Sequence, residues 1–436
     1  MIFKITNLNH ASLSLRFQDG TKIVFDPWFE GKCFSEGWAL KFYNPNAFEE
    51  IKDANYLWIS HLHGDHFHQN TLKKLLNLNE NICILCNLSE NFDVYKIFKR
   101  MGFKNLIQIR ERKRLVLPNG LKITRYPTTG IDNMLLIDYQ NIKILNYNDC
   151  NIMTRTRKTL KKEIGRIDFL LNNFNHAGKI LEFPIPSNEK IKSKLKKIFK
   201  DSINDFRPKY VIPFASFHKY ISPETFFQNQ SLISINEIST LHPSIVPLNV
   251  GESVFFNNNL ESYKIQKNPN IEENLIEIKK RNHSFSFQEL SILSIKFINK
   301  INSKFYFLPI FFNNIYIYIS DLDIVFLLSF RKKMILKLNE KTEFDISLHS
   351  SELYSWWSNQ FGTDSLLVGG HFNIHKSNIS SIKNLFLFSI LIENKLDFKS
   401  LIGYLFSVSG WRFLFNRREE IFSLLLSFNF KIGSRN

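Results

Sequence analysis

The sequence predicts an α/β chain in two parts, a sandwich of strands and helices followed by a smaller α+β domain, and three observations lead there. Short apolar runs bounded by turn residues recur through roughly the first 250 positions, interspersed with amphipathic helical patterns. One such run, Tyr56 to Ile59, stops in Ser60-His61-Leu62-His63-Gly64-Asp65-His66, as a sheet does when it delivers polar groups to one rim. A polar, Asn-rich stretch, Phe256 to Asn282, then separates this region from an α+β remainder. The expected division is residues 1–255, a linker at 256–282, and a C-terminal domain at 283–436 of unassigned role.

In chain order, strands are expected at Ile2–Ile5, Leu13–Phe17, Ile23–Phe25, Tyr56–Ile59 and Ile82–Leu85, with Asp19-Gly20 as a hairpin turn. Helical patterns follow at Asn70–Leu78 and at Phe92–Met101, the latter ended by Gly102. Strands resume at Leu115–Leu117, Lys122–Tyr126, Met134–Tyr139, Lys143–Asn146, Phe169–Asn172 and Tyr210–Pro213. Between the last two, Lys190 to Lys200 alternates lysines with Ile191, Leu195, Ile198 and Phe199 at near-helical spacing, an amphipathic helix with a solvated basic face. Ile271 to Lys280, with glutamates before Lys279-Lys280, reads as a dipole-matched helix. Beyond it, Ile315–Ile319, Ile324–Phe330 and Met334–Leu338 form a meander. Leu353–Phe361 is helical, Asp364 to Phe372 returns to a strand, and Phe415 to Phe428 is an apolar helix that packs on a neighbour or touches a membrane.

The chemistry is concentrated at His61, His63, Asp65 and His66. Imidazole and carboxylate at this density suit Zn, Fe or Mn, and Gly64 lets the backbone fold back so that the ligands converge. A solvated loop rich in His is the alternative, but three of the chain's 12 His fall within these six residues, directly at a strand end.

His-x-His-x-Asp-His after a strand resembles the signature of the metallo-β-lactamase superfamily, which implies an αββα sandwich with metals on one rim. Lys22-Ile23-Val24-Phe25-Asp26-Pro27-Trp28 and Asn9-His10-Ala11-Ser12 are similar to segments that precede the signature in that superfamily. Lys143 to Cys150 has the form of the strand whose terminal Asp bridges two metals, which implies Asp149 in that role. Asp26-Pro27-Trp28, Phe34-Ser35-Glu36-Gly37-Trp38, the signature, Thr71 to Leu75, Leu145 to Cys150 and Ile212-Pro213-Phe214-Ala215 together resemble the CMP-N-acetylneuraminate hydroxylase family. The resemblance implies metal ligands His61, His63, Asp65, His66 and Asp149, with Asp65 and Asp149 at the reacting centre. It further implies that Asp26 orients a ligand His from behind. The superfamily's third His, between signature and bridging Asp, has no counterpart in Arg125 to Asp132, and Ala215 stands where Pro-x-His is common. His176 and His218 are further candidate ligands or substrate contacts, as is His10, each with a structural His as the alternative.

Three functions are therefore expected in order: a metallo-hydrolase using one or two Zn on an anionic substrate such as a nucleotide or amino sugar; a di-iron oxygenase; and a binding module with a degraded site. The four Cys, at 33, 83, 86 and 150, have no Rieske spacing, so an oxygenase would take electrons from a separate partner. Their spacing also suggests a reducing, cytoplasmic setting, with Cys83 and Cys86 on a core strand. The net charge of +17 is scattered along the chain and accompanies no RNA-type aromatic motif, so nucleic acid is not the expected partner. The most apolar region, Phe305 to Phe330, is broken by Pro309, Asn313-Asn314 and Asp321-Leu322-Asp323, which excludes a transmembrane helix there.

Overall fold

In a computed structural model of the chain, the described residues are 3–88, 94–128, 132–182, 184–215, 217–257, 259–281, 283–306, 313–338, 343–375, 379–394, 396–416 and 418. Two sheets face each other. The first runs, edge to edge, through Tyr263–Gln266, Ser253–Phe256, Phe3–Asn9, Ser12–Phe17, Lys22–Phe25, Tyr56–Trp58, Cys83–Asn87 and Asn105–Ile109. The second runs through Arg114–Val116, Lys122–Pro127, Asn133–Tyr139, Ile142–Asn148, Phe169–Asn173 and Tyr210–Phe214. Side chains of alternate residues from both, among them Ile5, Leu15, Phe25, Ile137, Ile144 and Leu171, interdigitate in a shared core.

The outer faces are covered by helices. Ala47–Ile51, Gln69–Leu78 and Val94–Met101 pack on the first sheet through Ile51, Leu72, Leu75 and Phe98. Thr154–Ile164 and Asn188–Phe206 pack on the second through Leu160, Ile164, Phe199 and Phe206. The layers are thus helix, sheet, sheet, helix. The long basic helix turns Ile191, Phe199 and Ile203 inward and pairs Lys192 and Lys196 with Glu237, so most of its charge lies on a solvated face.

Strand direction places the site. Lys22–Phe25, Tyr56–Trp58 and Cys83–Asn87 are mutually parallel, as are Ile142–Asn148, Phe169–Asn173 and Tyr210–Phe214. Parallel neighbours need crossover connections, so the segments after their C-terminal ends gather at one rim. Asp26, Ser60 to His66, Asp149 and Asn173 all occupy such positions.

A separate core forms the C-terminal part. A five-stranded sheet, ordered Met334–Leu338, Ile324–Ser329, Ile315–Ile319, Ile346–Leu348 and Asn373–Ile374, packs against helix Phe287–Phe305 and against Trp356, Leu366 and Leu385. The helix opens with a capping box, Ser286 with Glu289, a signal present in the sequence but not in the expected elements.

Three expectations are corrected. Ile271–Lys280 is not a helix: Glu272–Glu273 pair with Phe42–Tyr43, and the Asn274 and Lys279 amides donate to Lys41 O (2.9 Å) and Ile221 O (2.7 Å). Hydrogen bonds to distant backbone hold this segment extended along the sandwich, outweighing its local helical preference. Within the stretch 256–282, Tyr263–Gln266 is a strand of the first sheet. Gly362–Gly369, expected as strand from Asp364, is a helix stopped by Gly370 at φ 71°, whose amide donates to Leu366 O. Of the expected helix Phe415–Phe428, residues up to 416 fall in helix Val408–Asn416, and 417 and 419–428 lie outside the described residues.

The two parts are joined by buried polar contacts. Arg281 makes two bonds of 2.7 Å to the Glu224 carboxylate and one of 3.0 Å to Glu352, which also takes Lys279 at 2.6 Å. Burial alone would raise the Glu224 carboxyl, but the Arg281 fork outweighs it and holds the group at about 2. A carboxyl depressed on folding stabilises the fold above its unfolded pKa and loses that stabilisation as pH falls toward its folded value. Chemical unfolding followed from pH 4.5 down to about 2 should therefore show stability declining in the native chain, and a flatter decline in Arg281→Ala. Backbones also meet closely: a Cβ on Gly37 would lie 2.4 Å from Gly369 Cα. Gly37→Ala should accordingly lower stability by about 1–3 kcal/mol, readable as a fall in thermal midpoint.

Candidate metal centre

Strand Tyr56–Trp58 leads into a loop that closes on itself when the His66 and Phe67 amides donate to His63 O at 3.0 and 2.7 Å. Asp26, at the end of the neighbouring strand, accepts from Ser60 N through Oδ1 at 2.7 Å. Its Oδ2 lies 3.1 Å from His66 Nδ1 and accepts from Asn148 Nδ2 at 3.2 Å. Asp26 and Asn148 both sit at positive φ (41° and 53°), a cost tolerated for short polar side chains that then aim into the rim.

Among the described residues, three overlapping candidate ligand groups result: His10, Asp65 and His66; His61, His66 and Asp149; and His61, His63 and Asp132. Within each, the ligand atoms lie inside 4.8 Å of one another. His66 Nε2 is 3.2 Å from both Asp65 Oδ2 and Asp149 Oδ2. His61 Nε2 is 2.9 Å from His63 Nδ1 and 3.6 Å from Asp132 Oδ1. His61, Asp149 and Asp65 are held from behind. Ser60 Oγ contacts His61 Nδ1 at 2.9 Å, Asn173 Nδ2 donates to Asp149 Oδ1 at 3.1 Å, and His10 Nε2 meets Asp65 Oδ2 at 3.1 Å. Because His10 Nδ1 accepts from Phe217 N at 3.2 Å, its proton sits on Nε2 and His10 donates to Asp65. His10 is buried behind Asp65 and acts on the centre through it.

The electrostatics call for a cation. Burial would depress the His66 imidazole, yet the Asp65, Asp149 and Asp26 carboxylates around it push it well above its ordinary value. His61, with no such ring of carboxylates, is driven well below by burial and by the neighbouring imidazoles, which leaves a lone pair for a ligand. Asp65 Oδ1 is buried with no hydrogen-bond partner. An ionised oxygen in that position is costly without a positive ion beside it, and a divalent metal on this donor set satisfies it.

All five residues expected as ligands, His61, His63, Asp65, His66 and Asp149, fall within these groups, and Asp26 lies directly behind His66. His176 does not join them: its ring nitrogens meet Ser231 Oγ (3.0 Å) and Tyr220 Oη (2.8 Å). His218 also belongs to no group. It stacks on Trp38 at 3.8 Å, edge-on to His10, with neither ring nitrogen hydrogen-bonded. Asp132 is the residue that sequence reasoning passed over. It closes the gap left by the absent third His, and burial with the nearby Asp149 charge raises its carboxyl to about 6. The only sequence signal was an Asp in the window where a His was sought.

A cover loop lies against the centre. Phe34, Ser35 and Glu36 have φ of 54°, 51° and 61°, an uncommon run of left-handed non-glycine residues costing about 1–2 kcal/mol each. Cys33 Sγ contacts Gly64 O at 3.0 Å, and the Phe34 ring meets that of His63 edge-on at 6.0 Å. The C-terminal part holds the loop: His371 Nε2 donates to Phe34 O at 2.7 Å, and Trp38 Nε1 donates to Val368 O at 3.1 Å. Lys279 Nζ donates to Ser35 O at 2.7 Å. His371 is therefore neutral at pH 7, burial holding it at about 4.

Removing the group behind a ligand imidazole typically costs about 10–100-fold in metal affinity. Asp26→Ala should show a loss of that order in competition against a metal-sensitive chelating dye, and an unchanged affinity would remove Asp26 from the centre.

The sequence model of the Beta-lactamase superfamily domain matches residues 4–215. The chain is 28% identical over 239 residues to the cytidine monophosphate-N-acetylneuraminic acid hydroxylase of Pongo pygmaeus, covering 49% of this chain and 38% of that protein. It is 26% identical over 238 residues to the Mus musculus hydroxylase, covering 49% and 39%. The chain thus spans under two-fifths of the length of these relatives. Among solved structures, it is similar to CmlA, a diiron β-hydroxylase from Streptomyces venezuelae, with TM-score 0.37 and 17% identity over 49% of this chain and 45% of that one. It is also similar to a metal-dependent hydrolase from Parabacteroides distasonis, with TM-score 0.33 and 16% identity over 57% and 94%. The four-layer sandwich and the ligand-bearing rim agree with the domain match: residues 4–215, just under half of the chain, have the sequence of a Beta-lactamase superfamily domain.

Proposed function

We propose that the rim holds two metal ions and that the chain is a dinuclear iron oxygenase acting on an anionic sugar or nucleotide sugar. His61, His63 and Asp132 would hold one ion, Asp65 and His66 the other, with Asp149 between them. The observation that carries this reading is Asp132. Two imidazoles and one carboxylate are the facial set that non-haem Fe(II) oxygenases use, whereas a third imidazole there would suit a zinc hydrolase better. With Asp65, Asp132 and Asp149, three anionic ligands serve the pair, which favours a metal that changes charge in reaction. The match to curated hydroxylases over half the chain supports the same choice.

Iron bound there would supply the electron transfer to dioxygen that hydroxylation needs, with electrons arriving from a reductase partner. The chain's own residues prepare the place. Ser60 and Asp26 fix which nitrogen of His61 and His66 faces the rim, and His10 and Asn173 do the same for the carboxylates of Asp65 and Asp149. The Phe34 and Trp38 rings shield this side from water, and the net charge of +17 favours approach of an anion.

The same ligands with zinc would make a metal-acidified water and a hydrolase, the reading that the His-x-His-x-Asp-His pattern alone puts first. Loading metal-free chain anaerobically with Fe(II) or Zn(II) separates the two. The iron-loaded chain should consume oxygen in the presence of a reductant while the zinc-loaded chain leaves phosphodiester, ester and amide probes intact. Hydrolysis by the zinc form, with an iron form inert to oxygen, would overturn the oxygenase reading. Asp132→Ala should bind one metal where the native chain binds two, measured by elemental analysis; two metals retained would remove Asp132 from the ligand set.

A further inference from the structure

Helices Phe398–Leu405 and Val408–Asn416 form a hairpin at the far end of the C-terminal part, and its tip is apolar and bare. Phe406 and Val408 are 81% and 76% exposed, Phe415 66%, Trp411 63%, Leu405 51% and Ile402 40%. Scattered apolar residues on a surface need no explanation, but six large ones within fourteen positions of one hairpin do. The tip is also anchored. Asp397 accepts from Ser400 N at 2.7 Å and pairs with Lys304 of helix Phe287–Phe305, while Phe398 and Leu401 pack on the C-terminal core. Ser407 accepts the Gly410 amide at 2.9 Å and so caps the second helix.

We propose that this hairpin seats the protein on an anionic lipid surface. Its charge favours that occupant: from Phe398 to Asn436 the sequence holds six Lys or Arg residues against two acidic ones, Glu419 and Glu420, which directly follow Arg418. The Arg418 guanidinium lies 4.4 Å from the Phe415 ring centroid, so a cation sits beside the apolar patch as at a bilayer interface. Exposure is highest at the turn, so the apolar surface projects as a wedge, a shape that enters the acyl boundary more readily than it mates with a flat protein face. Among the described residues no helix is long and apolar enough to cross a bilayer. The hairpin therefore lies in the interface, with Trp411, Phe406 and Phe415 inserted and the cations at headgroup level.

Flotation of the full chain with phosphatidylcholine vesicles, with and without phosphatidylserine, tests this. The chain should float with the phosphatidylserine vesicles and far less with the neutral ones, and added salt should weaken binding. Phe406→Ser with Trp411→Ser should reduce binding about tenfold or more. Lys399→Glu with Arg418→Glu, which leaves the apolar side chains in place, should abolish the preference for anionic vesicles. An unchanged thermal midpoint in both variants shows that the fold is retained. No flotation on either vesicle overturns the proposal, as does binding that both variants leave intact. A dimer in solution that the serine variant dissociates, without vesicle binding, assigns the face to a second copy of the chain instead.

Discussion

Three carboxylates converge on one buried imidazole, and the geometry of the rim follows from that convergence. Asp26, Asp65 and Asp149 all lie within 3.2 Å of a His66 ring nitrogen, His66, Asp26 and Asp65 being buried and Asp149 partly open to solvent. Left to itself, such a cluster would repel itself apart or take up protons. The fold holds it together with further hydrogen bonds to these carboxylates: Ser60 N and Asn148 on Asp26, His10 on Asp65, Asn173 on Asp149. Each of these donors comes from a different strand end, so the site needs both sheets in register. The parallel strands and shared sandwich core supply that rigidity, and a divalent ion would supply the missing positive charge.

The C-terminal part contributes to the same centre from outside. The cover loop adopts a left-handed run at Phe34 to Glu36 that isolated chain would not keep, and the contacts holding it come from Lys279, Val368 and His371. Neither Gly37 nor Gly369 tolerates a side chain without movement: a Cβ on Gly37 would meet the Gly369 backbone, and one on Gly369 would meet His371 and Phe34 O. The rim and the C-terminal core are therefore coupled mechanically, through a loop whose rings stand against His63 and His218.

Much of this was legible in the sequence, for a physical reason. Strands with one buried face announce themselves by alternation, as Ile315–Ile319 does, and both that strand and Met334–Leu338 were placed to the residue. Ligands one to five residues apart on one loop are visible as a motif, which is why His61, His63, Asp65 and His66 could be named together. Asp132 could not, because its role depends on the second sheet bringing it beside His61 and His63 across some seventy positions. Ile271–Lys280 shows the opposite failure: its composition favours a helix, but backbone partners at Lys41 and Ile221, unseen in sequence, hold it extended. Helix Thr154–Ile164 was missed because its dense lysines and arginines hide the few inward residues, Leu160 and Ile164.

The central claim is that the carboxylate ring around His66 exists to hold metal. It is tested most directly by titrating chelator-stripped protein with Fe(II) under anaerobic conditions, reading bound metal per chain and thermal midpoint together. The account predicts saturation at two ions with a rise in the midpoint, as ligation of the folded state requires. No bound metal at any ratio, or binding that leaves the midpoint of the chain unmoved, would contradict it.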